Sequence, residues 1–376
     1  MPEIVIVGGG IAGASLAYFL SQRGQGDVML LEREAQPGQH ATGRSAAVLV
    51  ELDPIPTLSR LKIASAGFLR TPPPGFCEQP LLVRSGILLL FGEPIWSAVR
   101  AAALEIERAG VTTELLEPAQ AAARVPVLQA AEMDGAIALP EDGHLDVHGL
   151  LSAYLAHARG RGVEVRCGAD AVELRVEGGR CLGVRMQDGR SIDARWVINA
   201  AGAWAGQVAR RAGAAPIEMV PHRRSIAVFS APHNAATAGL ASWPLVASDD
   251  HRIYFAPESG GFLLSPMDEL PMAPCDARPD DHAIAEAVER LGVLAPALVP
   301  RTLRRKWAGL RTFAPDRVPV VGADPCVRGL FWLAGQGGCG IETSPILGQI
   351  AADLLIDGRT ERFDARLLAP ERFAHS

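Results

Sequence analysis

Ile4-Val5-Ile6-Val7-Gly8-Gly9-Gly10-Ile11-Ala12-Gly13-Ala14-Ser15 is the stretch on which the fold turns. Ile4 to Val7, short and β-branched, reads as a buried parallel strand. Gly8-x-Gly10-x-x-Gly13 follows at once, and Leu16, Ala17 and Leu20 then carry a helical pattern. Each glycine has a physical task. Gly8 permits a tight turn, Gly10 lets a pyrophosphate approach the backbone, and Gly13 lets the helix lie close on the strand. Ile11 and Ala12 open that helix, whose free N–H groups and positive dipole end suit phosphate oxygens. A second strand, Val28 to Leu31, ends at Glu32, 19 positions beyond Gly13. That is near the spacing at which a carboxylate hydrogen-bonds an adenosine ribose. A glycine loop alone is often a plain turn; strand, fingerprint, helix, strand and terminal acid together point to a dinucleotide site.

Outward from this unit, Asp170–Glu177 and Arg180–Gln187 flank Gly178-Gly179 and read as a β-hairpin. Helical stretches alternate with strand pairs elsewhere, so the expected fold is α/β: a Rossmann-like unit with antiparallel strands inserted later. At 376 residues the chain can build two joined domains. Hydrophobic residues at 48% and charged residues at 21% fit an ordinary globular protein. A net charge of -6 gives no reason to expect nucleic acid or an anionic membrane as partner. No apolar run approaches the roughly 20 residues that span a bilayer. Pro2-Glu3 ahead of the first strand leaves no basic segment of a cleaved leader, and the chain reads as cytoplasmic. The six cysteines stand singly, which argues against a disulfide framework or zinc site; five are expected as small core residues. His144 and His148 have metal-pair spacing, but Asp146 between them fits a helix N-cap, so both histidines are read as surface residues and no metal is expected.

Further motifs carry a resemblance over nearly the whole chain: Glu32-Arg-Glu-Ala-Gln-Pro-Gly38, Thr42-Gly-Arg-Ser-Ala-Ala47, Pro74-Gly-Phe-Cys-Glu78, Arg223-Arg-Ser225, Trp307-Ala-Gly-Leu-Arg311 and Gln336-Gly-Gly-Cys-Gly-Ile341. In these the sequence resembles the D-amino-acid oxidase superfamily of FAD enzymes, and within it the D-arginine dehydrogenase group. The resemblance implies a Rossmann-like FAD-binding domain (1–80, 145–215 and 307–376) intimately joined to a substrate domain (81–144 and 216–306). The latter is expected on a mixed, largely antiparallel sheet. It also implies FAD contacts from Glu32, Arg33, Thr42, Arg44, Ser45, Ala46, Val172, Ala201 and Gly202, besides the fingerprint. Gly335, Gly337, Gly338, Cys339, Gly340 and Ile341 complete the set; these glycines let backbone approach a flat ring, and the helix after them aims its N-terminus back. Arg44 is placed to offset pyrophosphate charge. Sarcosine oxidases attach flavin through a cysteine in the segment matching Trp307–Asp316; none occurs here, so FAD is expected to be noncovalent. Cys339, where relatives often carry an aromatic residue, is read as filling space.

For the substrate, alternation along Arg223 to Phe229 puts Arg224 on the face of Ile226 and Val228, with Arg223 opposite. An arginine sharing an apolar face needs an anion, and a carboxylate offers a bidentate one. Arg224, Arg311 and Tyr254 match the residues that grip the substrate carboxylate in the D-arginine dehydrogenase group; internal salt bridges are the bland alternative for the arginines. The resemblance implies hydride transfer from the substrate α-carbon to flavin N5. An imine results, which water hydrolyses to a 2-oxo acid and ammonia; no general base is nominated. Val48, Val50 and Ile87 stand where arginine-preferring members carry a histidine, a threonine and a glutamate. With Gly338 they predict a pocket for a neutral or apolar side chain. Asp53 replaces a tyrosine at a further pocket position, where it would partly restore acidity, although Asp53-Pro54 reads foremost as a solvated turn.

The expected substrate is therefore a small carboxylate-bearing amine, foremost a D-amino acid, with oxygen or a quinone as electron acceptor. An N-methyl amino acid or glycine oxidase, or a 2-hydroxy-acid dehydrogenase, uses the same arginine pair. A flavin monooxygenase fed by NAD(P)H opens with the same fingerprint. A flavin-binding subunit of an electron-transfer complex is the alternative from another class.

Overall fold

The computed structural model describes residues 2–232 and 234–374. Among these, the opening strand Ile4–Val7 lies inside a six-stranded sheet. Its order is Val320–Ala323, Leu330–Ala334, Trp196–Asn199, Ile4–Val7, Val28–Leu31, Glu164–Arg166, all parallel except the first pair. Side-chain alternation sorts the two faces. Ile4, Ile6, Val28 and Leu30 join a core with the helices Ile11–Gln22, Val147–Gly160 and Ser344–Asp357. Val5, Val7, Met29 and Leu31 instead meet the expected hairpin, found as Ala171–Glu177 paired with Arg180–Met186. The first helix starts on the fingerprint, and a Cβ on Gly13 would lie 2.1 Å from the Gly8 carbonyl oxygen, so only glycine allows that approach.

A nine-stranded, mostly antiparallel sheet draws on the middle of the chain. Its long strand Val220–Ser230 pairs with Leu303–Phe313 on one side and Gly261–Ser265 on the other. Ile253–Glu258, Leu245–Ser248, Ile87–Phe91 and Gly135–Leu139 continue it; only the Leu245–Ser248 and Ile87–Phe91 pair is parallel. Among the described residues no helix is long and apolar enough to cross a membrane.

Three expectations need correction. Only Cys181 is buried; Cys167 and Cys326 are exposed and the other three are half-buried, since residue type alone says nothing of which strand face or loop a cysteine lands on. Asp146 does cap the helix Val147–Gly160, accepting from Gly149 N, and His148 is exposed. His144, however, lies in the strand Gly143–Leu145, half-buried, with Nε2 unpartnered and its pKa lowered by burial. Asp53 is not solvated: its carboxylate is paired at 2.8 Å with Lys62, a buried residue of the helix Pro56–Arg70.

Candidate flavin and substrate site

The fingerprint opens onto a cavity of about 370 Å³ lined by Gly8, Gly10, Glu32, Arg33, Val172, Ala201, Gly202 and Trp204, among others. Glu32, buried at the end of its strand, accepts from Gly9 N (2.8 Å) and Glu34 N (2.9 Å). The carboxylate thus braces the glycine turn as well as facing the cavity. Thr42 Oγ1 accepts from Ile11 N (3.0 Å) in the first turn of the opening helix. Arg33 lies over the Trp204 ring, 3.7 Å from its centroid, and fixes the cavity rim. Arg44 also lines the cavity, but its guanidinium donates to the Ala277 and Ala308 carbonyls and pairs with Asp276 at 2.6 Å. It clamps loops together, and its positive charge is already matched.

A second cavity of about 120 Å³ shares Gly10, Thr42, Arg44, Ala200 and Gly202 with the first. Its remaining wall holds Ile11, Ala12, Ser45, Ala46, Arg224, Arg311, Thr312, Gly337, Gly338, Gly340 and Ile341. Cys339 is not part of this wall: it is tucked behind it, its thiol pushed up to about 12, first by burial. Gly337 has φ +55°, and a Cβ there would lie 2.2 Å from the Phe313 ring. The turn is therefore glycine-rich in part to fit its own neighbours: Gly337 fits under Phe313, and Gly338 lies against the Arg311 guanidinium. Gly335, also at positive φ, precedes the turn. The following helix begins at Ser344, and one first-turn donor, Ile346 N, is used by Ser65 Oγ.

Arg224 sits opposite Gly309 in the antiparallel ladder and Arg311 opposite His222, which makes the two arginines diagonal neighbours on one face. Their surroundings differ. Arg224 is buried and donates to the Asp268 carbonyl (2.9 Å) and to Glu269 (2.9 Å). Burial, and then the charge of Arg311, lower its pKa to about 10. Burial works to raise Glu269, but Arg317 and the two site arginines outweigh it and hold that carboxyl below its usual range. For Arg224 the salt-bridge alternative is thus realised. Arg223, on the opposite face, pairs with Asp268 and Asp280. Arg311, by contrast, has no hydrogen bond or ion pair among the described residues and stays half-buried in the cavity wall.

Tyr254 is buried with its Oη unpartnered, and Thr312 Oγ1 is likewise unpartnered. Tyr254 packs with Val48, Val50, Ile87, Ile226 and Val228 in one apolar cluster, of which Ile226 lines the second cavity beside Arg224. Glu269, Asp268, Trp204, Lys62 and Glu342 were not singled out from the sequence. For Lys62 a signal existed: it falls on the helical stripe Leu58, Leu61, Ser65 and Leu69, where a lysine is out of place unless paired.

The model of the family described as "DAO: FAD dependent oxidoreductase" matches residues 3–354. This chain belongs to that family. Mouse mitochondrial sarcosine dehydrogenase (Mus musculus) is 25% identical over 398 residues, covering 100% of this chain and 42% of its own length, so the chain spans less than half of that relative. The crystal structure of L-proline dehydrogenase from P. horikoshii superposes with a TM-score of 0.86 at 24% identity, covering 100% and 98% of the two chains. That of glycine oxidase from Bacillus cereus ATCC 14579 gives 0.79 at 22%, covering 98% and 97%. The residues present fit the family's FAD. The adjoining cavities run from the fingerprint to the glycine turn, and the wall of the second holds a guanidinium and a hydroxyl, Arg311 and Thr312, that are unpaired among the described residues.

Proposed function

We propose that this FAD-dependent oxidoreductase oxidises a small carboxylate-bearing amine, foremost a D-amino acid with a neutral or apolar side chain. The product is an imine that water hydrolyses to a 2-oxo acid and ammonia. The observation that carries this reading is Arg311, whose guanidinium fork is free in the wall of the second cavity. A substrate carboxylate satisfies such a fork bidentately. Arg224 lends the N–H groups that Glu269 and Asp268 leave free, and Tyr254 Oη and Thr312 Oγ1 are hydroxyls in want of a partner. Ile87, with Val48 and Val50, offers a guanidinium side chain nothing to pair with, which is why arginine itself is not the proposed substrate. FAD supplies the two-electron acceptor when bound; this chain's residues orient the carboxylate and exclude water from the apolar wall.

The D configuration rests on the motifs shared with the D-arginine dehydrogenase group, as does the division into the two domains bounded above. The cofactor is proposed as noncovalent: Trp307–Asp316 holds no cysteine, and Cys339 is kept a neutral thiol. Acid precipitation is expected to leave all flavin in the supernatant; flavin retained on the pellet contradicts this. Oxygen or a quinone is the proposed acceptor.

A second reading is an N-methyl or cyclic secondary amine, favoured by the similarity to sarcosine and L-proline dehydrogenases. Product analysis separates the two. Ammonia with a 2-oxo acid supports the first reading; formaldehyde with glycine, or a cyclic imine, supports the second.

A further inference from the structure

Lys62 is buried on the helix Pro56–Arg70, its side chain 5% exposed. Its ammonium lies 2.8 Å from Asp53 Oδ2 and 3.2 Å from Glu342 Oε1. The second Glu342 oxygen accepts from Val50 N (2.9 Å), and the second Asp53 oxygen accepts from Ile55 N (2.9 Å). Cys339 Sγ approaches Asp53 Oδ2, the oxygen that faces Lys62, at 3.9 Å. The cluster thus ties together the segment Val50–Asp53, the helix Pro56–Arg70, and the end of the glycine turn. Neither the fold nor the substrate grip explains it.

Stability is a poor explanation, because an apolar replacement of buried ion clusters is often as stable or more so. Position is a better one. Gly338, Gly340 and Ile341 line the cavity while Cys339 and Glu342, on either side of Gly340 and Ile341, point away into the cluster. Arg311 acts electrostatically on Cys339 from the cavity side. Burial opposes the Lys62 ammonium, but the acidic groups Cys339, Glu342 and Asp53 outweigh it and raise its pKa. Burial pushes Glu342 up, with Lys62 pulling the other way. Loss of Lys62 would leave two carboxyls facing each other without a cation.

We propose that Lys62 is a positioning residue for the bound flavin: held between Asp53 and Glu342, it pins the Val50–Asp53 segment to the glycine turn and fixes the charge behind that turn. The inference rests on the flavin site but not on the substrate reading, and its test needs no substrate. Its sign follows from charge. Removing the cation disfavours the electron-rich reduced flavin, and removing one carboxylate favours it.

The test is the two-electron midpoint potential of holoprotein by dye-equilibrated reduction, for wild type, Lys62→Met, Lys62→Arg and Glu342→Gln, each checked for full FAD content. Lys62→Met is expected to shift the reduction equilibrium about tenfold toward oxidised flavin, about 30 mV for two electrons. Lys62→Arg is expected to stay near wild type, and Glu342→Gln to shift the opposite way. If Lys62→Met does not fold, Glu342→Gln decides by its sign: a raised potential supports the proposal, and an unchanged or lowered one overturns it. Equal potentials in folded Lys62→Met and wild type overturn it as well, whatever substrate the enzyme takes.

Discussion

Arg311 and Arg224 rise from one face of the same strand pair, yet of the two only Arg224 is hydrogen-bonded to Glu269. Arg311→Ala therefore removes the free fork and is expected to lower kcat/KM about a hundredfold, about 3 kcal/mol, mostly through KM. A fall of less than about threefold in steady-state kinetics would remove Arg311 from the carboxylate grip. Another residue-scale prediction concerns Asp142, buried with Glu51 around Arg70. Burial first, and then Glu51, push its carboxyl up to about 8. The native state therefore holds a proton that the unfolded chain releases. The stability this contributes is complete below the ordinary aspartate pKa of about 4 and is lost as pH rises toward about 8. Asp142→Asn is expected to flatten that decline in denaturant titrations at stepped pH; an unchanged slope would refute the assignment. None of these partners was legible in the sequence, since Glu51 and Asp142, like Asp53 and Glu342, are brought together only by the fold. Residue type showed which groups carry charge, and not what they face.

The glycine turn and the long arginine strand are elements whose local rules were readable in advance. Alternation along Val220–Ser230 placed Arg224 with Ile226 and Val228, because a strand's two-residue period leaves one answer once one face is apolar. The hairpin around Gly178-Gly179 was equally plain, both glycines having positive φ. The purpose of Gly337 was less visible, since the pressure on it comes from Phe313, a neighbour in space and not in sequence. Gly337→Ala must place a Cβ in that ring at a left-handed φ. It is expected to cost about 2 kcal/mol and to weaken FAD retention. Thermal unfolding and flavin content check this: a wild-type melting point with full flavin would show that the turn yields easily.

At the scale of the molecule, the flavin cavities gather backbone from the start, middle and end of the chain, so cofactor binding and folding are linked. FAD at a hundredfold excess over its Kd is expected to stabilise the protein by about 2.7 kcal/mol, read as a rise of several degrees in Tm over apoprotein. An FAD-independent Tm would contradict the placement of the site. The dinucleotide half of the fold was readable because its signal is compressed into the first 32 residues. The substrate half was expected, from the resemblance, on a mixed, largely antiparallel sheet, but its strand order was not readable, because the nine-stranded sheet is assembled from segments each ambiguous alone. The most direct test of the whole account is anaerobic mixing of holoprotein with D-, L- and N-methyl amino acids while flavin absorbance is followed. Rapid bleaching by apolar D-amino acids, slowed about a hundredfold at subsaturating substrate by Arg311→Ala, is the predicted result; bleaching by D-arginine in preference, or by no amino acid at all, would contradict it.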